Sequence, residues 1–460
     1  MMRRLSLLLA LVLSACIHIA PKPIVPAQTA QQLESRSLAD AGLQKFVAAH
    51  VSGGTTPITR WDLERLTLAA FYFHPDLDIA RADAAVARAA IATAGQRPDP
   101  SVTLPVEHKG DPGVTPWVLV LGFDFQIETA NKRGLRMRHA EDLSQAAELA
   151  IAQDAWQLRS AIRAQLVALT AAGESVAILQ RQRDAQNDLV EALQKRFDLG
   201  QGSRVELTQA RIASRQTALL LRDRQTQIAQ ARARLAAAIG VPLNGAKDSE
   251  FDFDPRALPA ATLPTDLRER ALTTRPDILV SLAQYAAAES DLRLELARQY
   301  PDFHIAPGFG WDQGHQRWDF GFASVAPIFS RNRGSILEAE RRRSASEARF
   351  VALQSRVIAA ADEASEVYRQ ALAKVEETAS ILSLQRAQLD AAQRSFNAGQ
   401  IDRVALRTAE LEFAAAELAR TDAVAQAQQA LGALEDAIEQ PLSGTALPAA
   451  PRVNPRESQR

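Results

Sequence analysis

KRGLRMRHAEDLSQAAELAIAQDAWQLRSAIRAQLVALTAAGESVAILQRQRDAQNDLVEALQKRF, residues 132 to 197, contains no proline and only two glycines, Gly134 and Gly173. Nothing in it compels a helix to stop. At ~1.5 Å per residue, one helix of this length is on the order of 100 Å long, roughly three times the width of a small domain. No ordinary globule encloses such an element, so the chain belongs to something elongated.

A second stretch of the same kind runs from Arg333 to Phe396. Within it Leu353, Val357, Ala360, Ala364, Val367 and Ala371 recur at alternating steps of four and three, the spacing of a coiled-coil seam. Alanine at many of these positions lets backbones approach but buries little area per residue, so each helix needs neighbours on more than one flank. Long helices that share two flanks make a sheet or tube of helices.

The segments before the long helices change period. Val102, Leu104 and Val106 alternate with polar neighbours, and Trp117, Leu119, Leu121, Phe123, Phe125 and Ile127 form one apolar face opposite Asp124, Gln126 and Glu128. These are strands, over about 101–108 and 117–128. The first long helix, about 132–197, ends at Phe197-Asp198-Leu199-Gly200-Gln201-Gly202, where Gly200 and Gly202 permit a tight reversal. Ser203-Arg204-Val205-Glu206 then reads as a capping box that opens a helix over about 203–239.

The pattern begins again about 200 residues later. His74-Pro75-Asp76 is echoed by Arg275-Pro276-Asp277, and Asn131-Lys132-Arg133-Gly134 by Arg331-Asn332-Arg333-Gly334. Phe197-Asp198-Leu199-Gly200 returns as Phe396-Asn397-Ala398-Gly399, and Arg204-Val205 as Arg403-Val404. The chain is a tandem duplication, with repeat 1 over 61–243, a proline-containing connection over 244–263, repeat 2 over 264–442 and a tail over 443–460. Repeat 2 carries strands over about 303–312 and 317–329, a long helix over about 333–396 and a shorter one over about 402–438. Four strands cannot close a membrane barrel, which takes about eight at least, and strand edges cannot stay open in lipid. A barrel is therefore shared among copies of the chain, and this argument alone permits two, three or more.

The 460 residues are 47% hydrophobic and 23% charged, which excludes wholesale disorder, and the net charge of −1 gives no sign of a nucleic-acid protein. The first residues, MMRRLSLLLALVLSAC, combine a basic start, an apolar core and small residues before Cys16, which is the pattern of a secretory signal peptide over 1–15. Leu13-Ser14-Ala15-Cys16 resembles the bacterial lipobox, in which the cysteine is acylated and becomes the mature N-terminus. Cys16 is the sole cysteine, so no intrachain disulfide forms. Ile17 follows instead of Asp, which resembles a signal for sorting to the outer membrane. Residues 16–60 read as an extended tether with one short helix around Leu38 to Ala49.

The order of elements, the duplication and the lipobox resemble the TolC-like outer-membrane efflux family over about residues 61 to 442. Trp61-Asp62-Leu63, the HPDL of residues 74–77 and IETANKRG at 127–134 are most similar to the branch that serves cobalt-zinc-cadmium and related cation exporters. The resemblance implies a mixed, mainly α protomer in a homotrimer, with a 12-stranded transmembrane β-barrel continuous with an α-helical periplasmic tube. It also implies a passive exit duct for solutes, heavy-metal cations among them. An inner-membrane pump of the resistance-nodulation-division type and a periplasmic adaptor would deliver the solute. The other reading is a periplasmic coiled-coil scaffold or adaptor without a pore, for which four strands with a continuous apolar face have no use.

No catalytic, cofactor or metal signature appears. The seven histidines form no cluster at ligand spacing, and G-x-S-x-G, P-loop and dinucleotide patterns are missing. Local function is expected at the two reversals, marked by Gly200, Gly202 and Gly399. In the first, Arg204 and Glu206 fall on a family tip pattern whose acidic position is associated with the closing constriction; a capping role for Glu206 is the alternative. In the second, Asp402 reads as an N-cap. Ala405 and Thr408 stand where some family members carry constriction carboxylates, with Arg403 and Arg407 four residues apart on one helical face. That face points either into a pore, making a basic narrowing, or outward.

Overall fold

The computed structural model describes residues 19–51, 57–108, 110, 117–259, 266–312, 314–325 and 329–442. The expected signal peptide, Cys16 and the C-terminal tail lie outside the described residues. Repeat 1 runs α3 (Leu63–Phe73), α4 (Pro75–Ala94), β2 (Ser101–Thr103), β3 (Val106–His108), β4 (Trp117–Ile127), α5 (Lys132–Asp198) and α6 (Arg204–Ile239). Repeat 2 runs α7 (Leu267–Thr274), α8 (Pro276–Ala297), β6 (Phe303–Asp312), β7 (His315–Ser324), α9 (Arg333–Asn397) and α10 (Arg403–Ile438). Two further helices, α1 (Pro26–Glu34) and α2 (Ala41–His50), precede them, and β1 (Arg60–Trp61) pairs in parallel with β5 (Glu250–Phe251).

Both long helices start from the same corner. Ala130 and Asn131 before α5, and Arg331 and Asn332 before α9, take consecutive left-handed conformations, which asparagine tolerates better than most residues. The distal reversals are also alike. Gly200 (φ 72°) donates to Phe197 O at 2.9 Å and Gln201 to Arg196 O at 2.8 Å; Gly399 (φ 72°) and Gln400 repeat both bonds on Phe396 O and Ser395 O. Each is a Schellman ending that satisfies the last carbonyls of its helix. Gly202 is not at positive φ. A Cβ there would lie 2.8 Å from Phe197 N, so close backbone approach, and not a left-handed conformation, is what asks for glycine.

Towards the reversals the helices stand side by side in the order α6, α5, α10, α9, so that α5 contacts both repeats while α6 and α9 are edges. Burial follows from this position: 19 residues of α5 are buried and 5 of α9, none of the latter beyond Tyr368. The buried seam of α9 is Val357, Ala361, Ala364 and Tyr368, with Ala371 partly buried. It departs from the expected set at Ala360 and Val367, which are exposed. Tyr368 draws the seam round by one residue, because its ring is fully buried and its hydroxyl donates to Pro259 O at 2.7 Å.

The strands form one antiparallel sheet in the order β2/β3, β4, β6, β7. Ser101↔Asp124 and His108↔Trp117 belong to one unbroken register, so residues 101–108 act as a single strand. Its ladder lapses at Leu104-Pro105 because proline has no N–H to give, although Pro105 O still accepts from Val120 N at 3.3 Å. The β4–β6 ladder likewise resumes at Phe125↔Ile305 after a gap around Pro307. β6 and β7 pair from Phe303↔Ser324 to Asp312↔His315, with Gly314 at φ 90° in the hairpin. The last strand spans His315–Ser324, beginning two residues before the expected 317, and of its expected end at about 329 residues 326–328 lie outside the described residues.

The N-terminal arm is docked over its second half, in contrast to the expected tether. Leu38, Leu43 and Val47 are at most 1% exposed and join the core of α3, α5 and α6. Arg36 donates to Phe73 O at 2.5 Å and Gly240 O at 3.2 Å, and Leu38 N to Gly245 O at 3.0 Å. Composition marks this arm as polar, but a few apolar anchors and one arginine suffice once helix ends elsewhere present unsatisfied carbonyls.

Candidate functional site

The two reversals lie together and are cross-tied. Asp188 Oδ2 on α5 accepts from Arg407 at 2.6 Å and from Arg403 at 3.4 Å, both on α10. Arg407 also bonds Glu410 at 2.5 Å within its own helix. In the opposite sense, Arg196 on α5 approaches Asp402 at 3.4 Å, while the other oxygen of Asp402 caps α10 by accepting from Ala405 N at 2.8 Å. Three arginines thus meet three carboxylates, and Arg403 and Arg407, expected on one helical face, are both paired with carboxylates within the protomer. Glu410 and Asp188 outweigh burial and push the Arg407 guanidinium up from its ordinary value.

Glu206 and Arg204 are exposed at the first reversal. Ser203 Oγ accepts from Val205 N at 3.2 Å and not from the Glu206 amide. The reciprocal capping box is not formed, because the serine closes a tighter turn on the residue two positions on. Among the described residues Glu206 has no hydrogen bond or ion pair, so its carboxylate is free to act on solvent ions or a partner. Asp188 was not singled out above. Its signal was an acidic pair, Asp184 and Asp188, spaced four apart one turn or more inside α5, complementary to Arg403 and Arg407.

The sheet at the opposite end has two chemically distinct faces. Register places Val106, Leu119, Trp311, Leu121, Phe309, Trp318, Phe125, Ile305 and Phe322 on one side. Most are exposed large hydrophobics, Trp318 at 79% and Phe322 at 64%. The other side carries Glu107, Asp124, His304, Asp312, Arg317 and Asp319, with Gly122, Gly308, Gly310 and Gly321 between them. A Cβ on Gly310 would sit 2.2 Å from Leu119 O, so this side is the crowded one. His304 Nδ1 lies 3.1 Å from Asp124, and Arg317 Nε donates to Asp319 at 2.7 Å. His108 is stacked edge-on against Trp117 at 4.8 Å on the apolar side. No group of three or more His, Cys, Asp or Glu able to hold a metal occurs among the described residues.

Where the sheet meets the helices, Lys132 is 9% exposed and donates to Asp302 and to Tyr300 O, both at 2.7 Å. Arg136 pairs with Glu128, and Asp302 accepts from Thr129 N at 2.9 Å. These groups line a cavity of about 360 Å³ between β4, β6 and the first turns of α5. The IETANKRG stretch of the sequence is therefore the polar collar that fixes the sheet on the long helix.

A sheet with a lipid-compatible face, open at both outer strands and carried on duplicated 65- and 67-residue helices, defines a membrane-inserting protein with a long helical stalk. The chain belongs to the outer membrane efflux protein family, whose sequence profile matches residues 72–241 and 267–439, one segment in each repeat. It is 26% identical over 281 residues to the cobalt-zinc-cadmium resistance protein CzcC of Cupriavidus metallidurans, covering 60% of this chain and 64% of that one. It is also 26% identical over 265 residues to the pyoverdine export outer membrane protein OpmQ of Pseudomonas aeruginosa, covering 55% and 51%. The chain thus spans between half and two thirds of these relatives. Among solved structures, the outer-membrane channel OprN superposes with a TM-score of 0.68 at 20% identity over 95% of this chain and 99% of that one. CusC gives 0.67 at 17% identity, over 91% and 99%. These two likenesses establish the shared fold.

Proposed function

We propose that the protein is the outer-membrane duct of a tripartite efflux system, a homotrimer in which three four-stranded sheets close a 12-stranded barrel above a tube of helices. The observation that carries this reading is the sheet itself, whose apolar face is exposed and whose outer strands, β2/β3 and β7, pair on one side only among the described residues. Unpaired edges are not tolerated in lipid, so copies must complete one another.

The helical edges support the same reading. Ile79 and Val86 on α4, and Val205, Ile212 and Leu219 on α6, are exposed apolar residues spaced by sevens on one edge of the protomer. Leu337, Val351 and Ile358 on α9, at multiples of seven, stand on the other. Sevenfold spacing on both free edges is what a coiled-coil seam between neighbouring copies needs. The duct needs no catalysis. An inner-membrane pump of the resistance-nodulation-division type and a periplasmic adaptor supply energy and solute, and a lipid on Cys16 adds a second membrane attachment.

The polar face of the sheet lines the barrel in this reading. Glu107, Asp124, Asp312 and Asp319 against Arg317 give each copy an acidic lining, which favours cations. Together with the CzcC similarity this favours heavy-metal cations as cargo. Planar-bilayer recording of the purified protein across a salt gradient tests the reading: discrete cation-selective channels are expected. Protein that is fully membrane-inserted but passes no current would reject the duct in favour of a scaffold.

A further inference from the structure

Helices α6 and α10 end at equivalent positions in the two repeats, against equivalent Pro-Asp corners, yet the chemistry of the two junctions differs. In repeat 1 the residue after the helix is Gly240 at φ 85°, the corner is His74-Pro75-Asp76, and the arm supplies Arg36 to the exposed carbonyls. In repeat 2 the residue after the helix is Glu439, held at φ 48° where glycine sits without strain. The corner there supplies its own arginine. Arg275 donates to Asp436 O at 3.1 Å and Ala437 O at 2.5 Å, grips Asp277 at 2.9 and 2.6 Å, and reaches Glu439 Oε1 at 3.2 Å.

The Glu439 side chain is 9% exposed, and among the described residues its buried Oε2 has no hydrogen-bond partner. The groups around it leave one positive charge for three carboxylates. Arg275 and Asp277 face it from the start of α8; Asp436 faces it from α10 and, among the described residues, its carboxylate is held by neutral donors of α5, Trp156 Nε1 at 2.9 Å and Ser160 Oγ at 2.6 Å. Glu435, also on α10, is committed to Arg159 at 3.1 Å and Arg163 at 3.5 Å on α5. From α7, Arg270 bonds the neutral Gln440 at 3.0 Å. No second cation among these is available to Glu439.

We propose that this junction is a proton-operated latch: a proton on Glu439 lets Arg275 and Asp277 close on the end of α10, and its loss sets a second buried carboxylate against Asp277 and loosens the end of the helix. Burial first, and Asp277 next, raise the Glu439 carboxyl from its ordinary 4.5 to about 7. The sign follows from proton linkage. The folded junction holds a proton that the open one releases, so the latch is tight below the ordinary value and weakens as pH rises towards 7. The junction lies where α8, running towards the sheet, and α10, running from the tip, are pinned together, so loosening frees the upper end of the tip-bearing helix. Repeat 1, with Gly240 in the same place, has no such group.

Amide hydrogen exchange of the detergent-solubilised full chain, expressed as protection factors from pH 5 to 8.5, tests the latch. Protection at 431–440 and 276–282 is expected to fall by roughly tenfold to a hundredfold across this range. The equivalent end of α6, 232–240, should hold level. Glu439→Gln, which keeps the shape, and Glu439→Gly, which also relieves the backbone, should both give level, high protection. Asp277→Asn should move the fall to lower pH. Level protection in the unaltered chain, or the same fall in Glu439→Gln, would overturn the proposal.

Discussion

Asp188→Asn removes one charge at the tip while keeping the shape of the side chain. In the protomer it removes the negative charge that Arg407 meets at 2.6 Å and Arg403 at 3.4 Å and leaves one neutral amide oxygen to accept, and both of these contacts join repeat 1 to repeat 2. Arg407 keeps Glu410 on its own helix, so what is lost is the tie between repeats and not the helix. Asp188 is 38% exposed, which places the pair among partly solvated ion pairs worth up to about 1 kcal/mol. If three tips open together the losses add to about 3 kcal/mol, on the order of a hundredfold in the open-to-closed ratio, since about 1.4 kcal/mol is tenfold. Bulk stability should hardly move, because a change of up to about 1 kcal/mol per copy is small against the core that α5, α6 and α10 keep near the tip, with Leu179, Leu193, Leu207 and Leu406 buried. Single-channel recording should show larger or longer openings in Asp188→Asn, and high salt should bring the unaltered protein towards the variant by screening the pair. Identical open occupancy in the two proteins, with no effect of salt on either, would refute the tie as a restraint.

Arginine in place of Leu121, at the middle of the apolar face, should cost roughly 2 to 4 kcal/mol per copy in lipid and deplete assembled protein in membrane fractions; normal assembly would contradict the orientation of the sheet. Arg36→Ala leaves the carbonyls of Phe73 and Gly240 without their donor, and should lower stability by about 2 kcal/mol in thermal melts. An unchanged melt would show that the arm is held by Leu38, Leu43 and Val47 alone. Cys16→Ser should yield protein without the lipid mass that still inserts through its strands, and an unmodified Cys16 in the mature natural chain would end the lipoprotein proposal.

The long helices and the duplication were legible because both rest on local facts: the lack of proline over 66 residues and the return of the same corners 200 residues on. The strands were legible in their alternation, and Pro105 and Pro307 interrupt only the ladder, since register is carried by the flanking pairs. Contacts distant in sequence were not legible. Arg403 and Arg407 were placed on one face by their spacing, but their partner Asp188 lies more than 200 residues away. The arm reads as a tether until the carbonyls of Phe73 and Gly240 are brought beside it. In the same way Ala360 and Val367 fit a heptad as well as Ala361 and Tyr368 do, and only the pocket for the tyrosine ring decides between them.

If one chain holds only a share of a closed barrel and tube, the number of chains in the membrane-extracted protein is fixed, and native mass spectrometry counts it. Three copies, dissociating together when the detergent is withdrawn or the sample heated, is the result predicted. A stable, monodisperse single chain, with its strand edges and sevenfold-spaced helix edges unpaired, would contradict it.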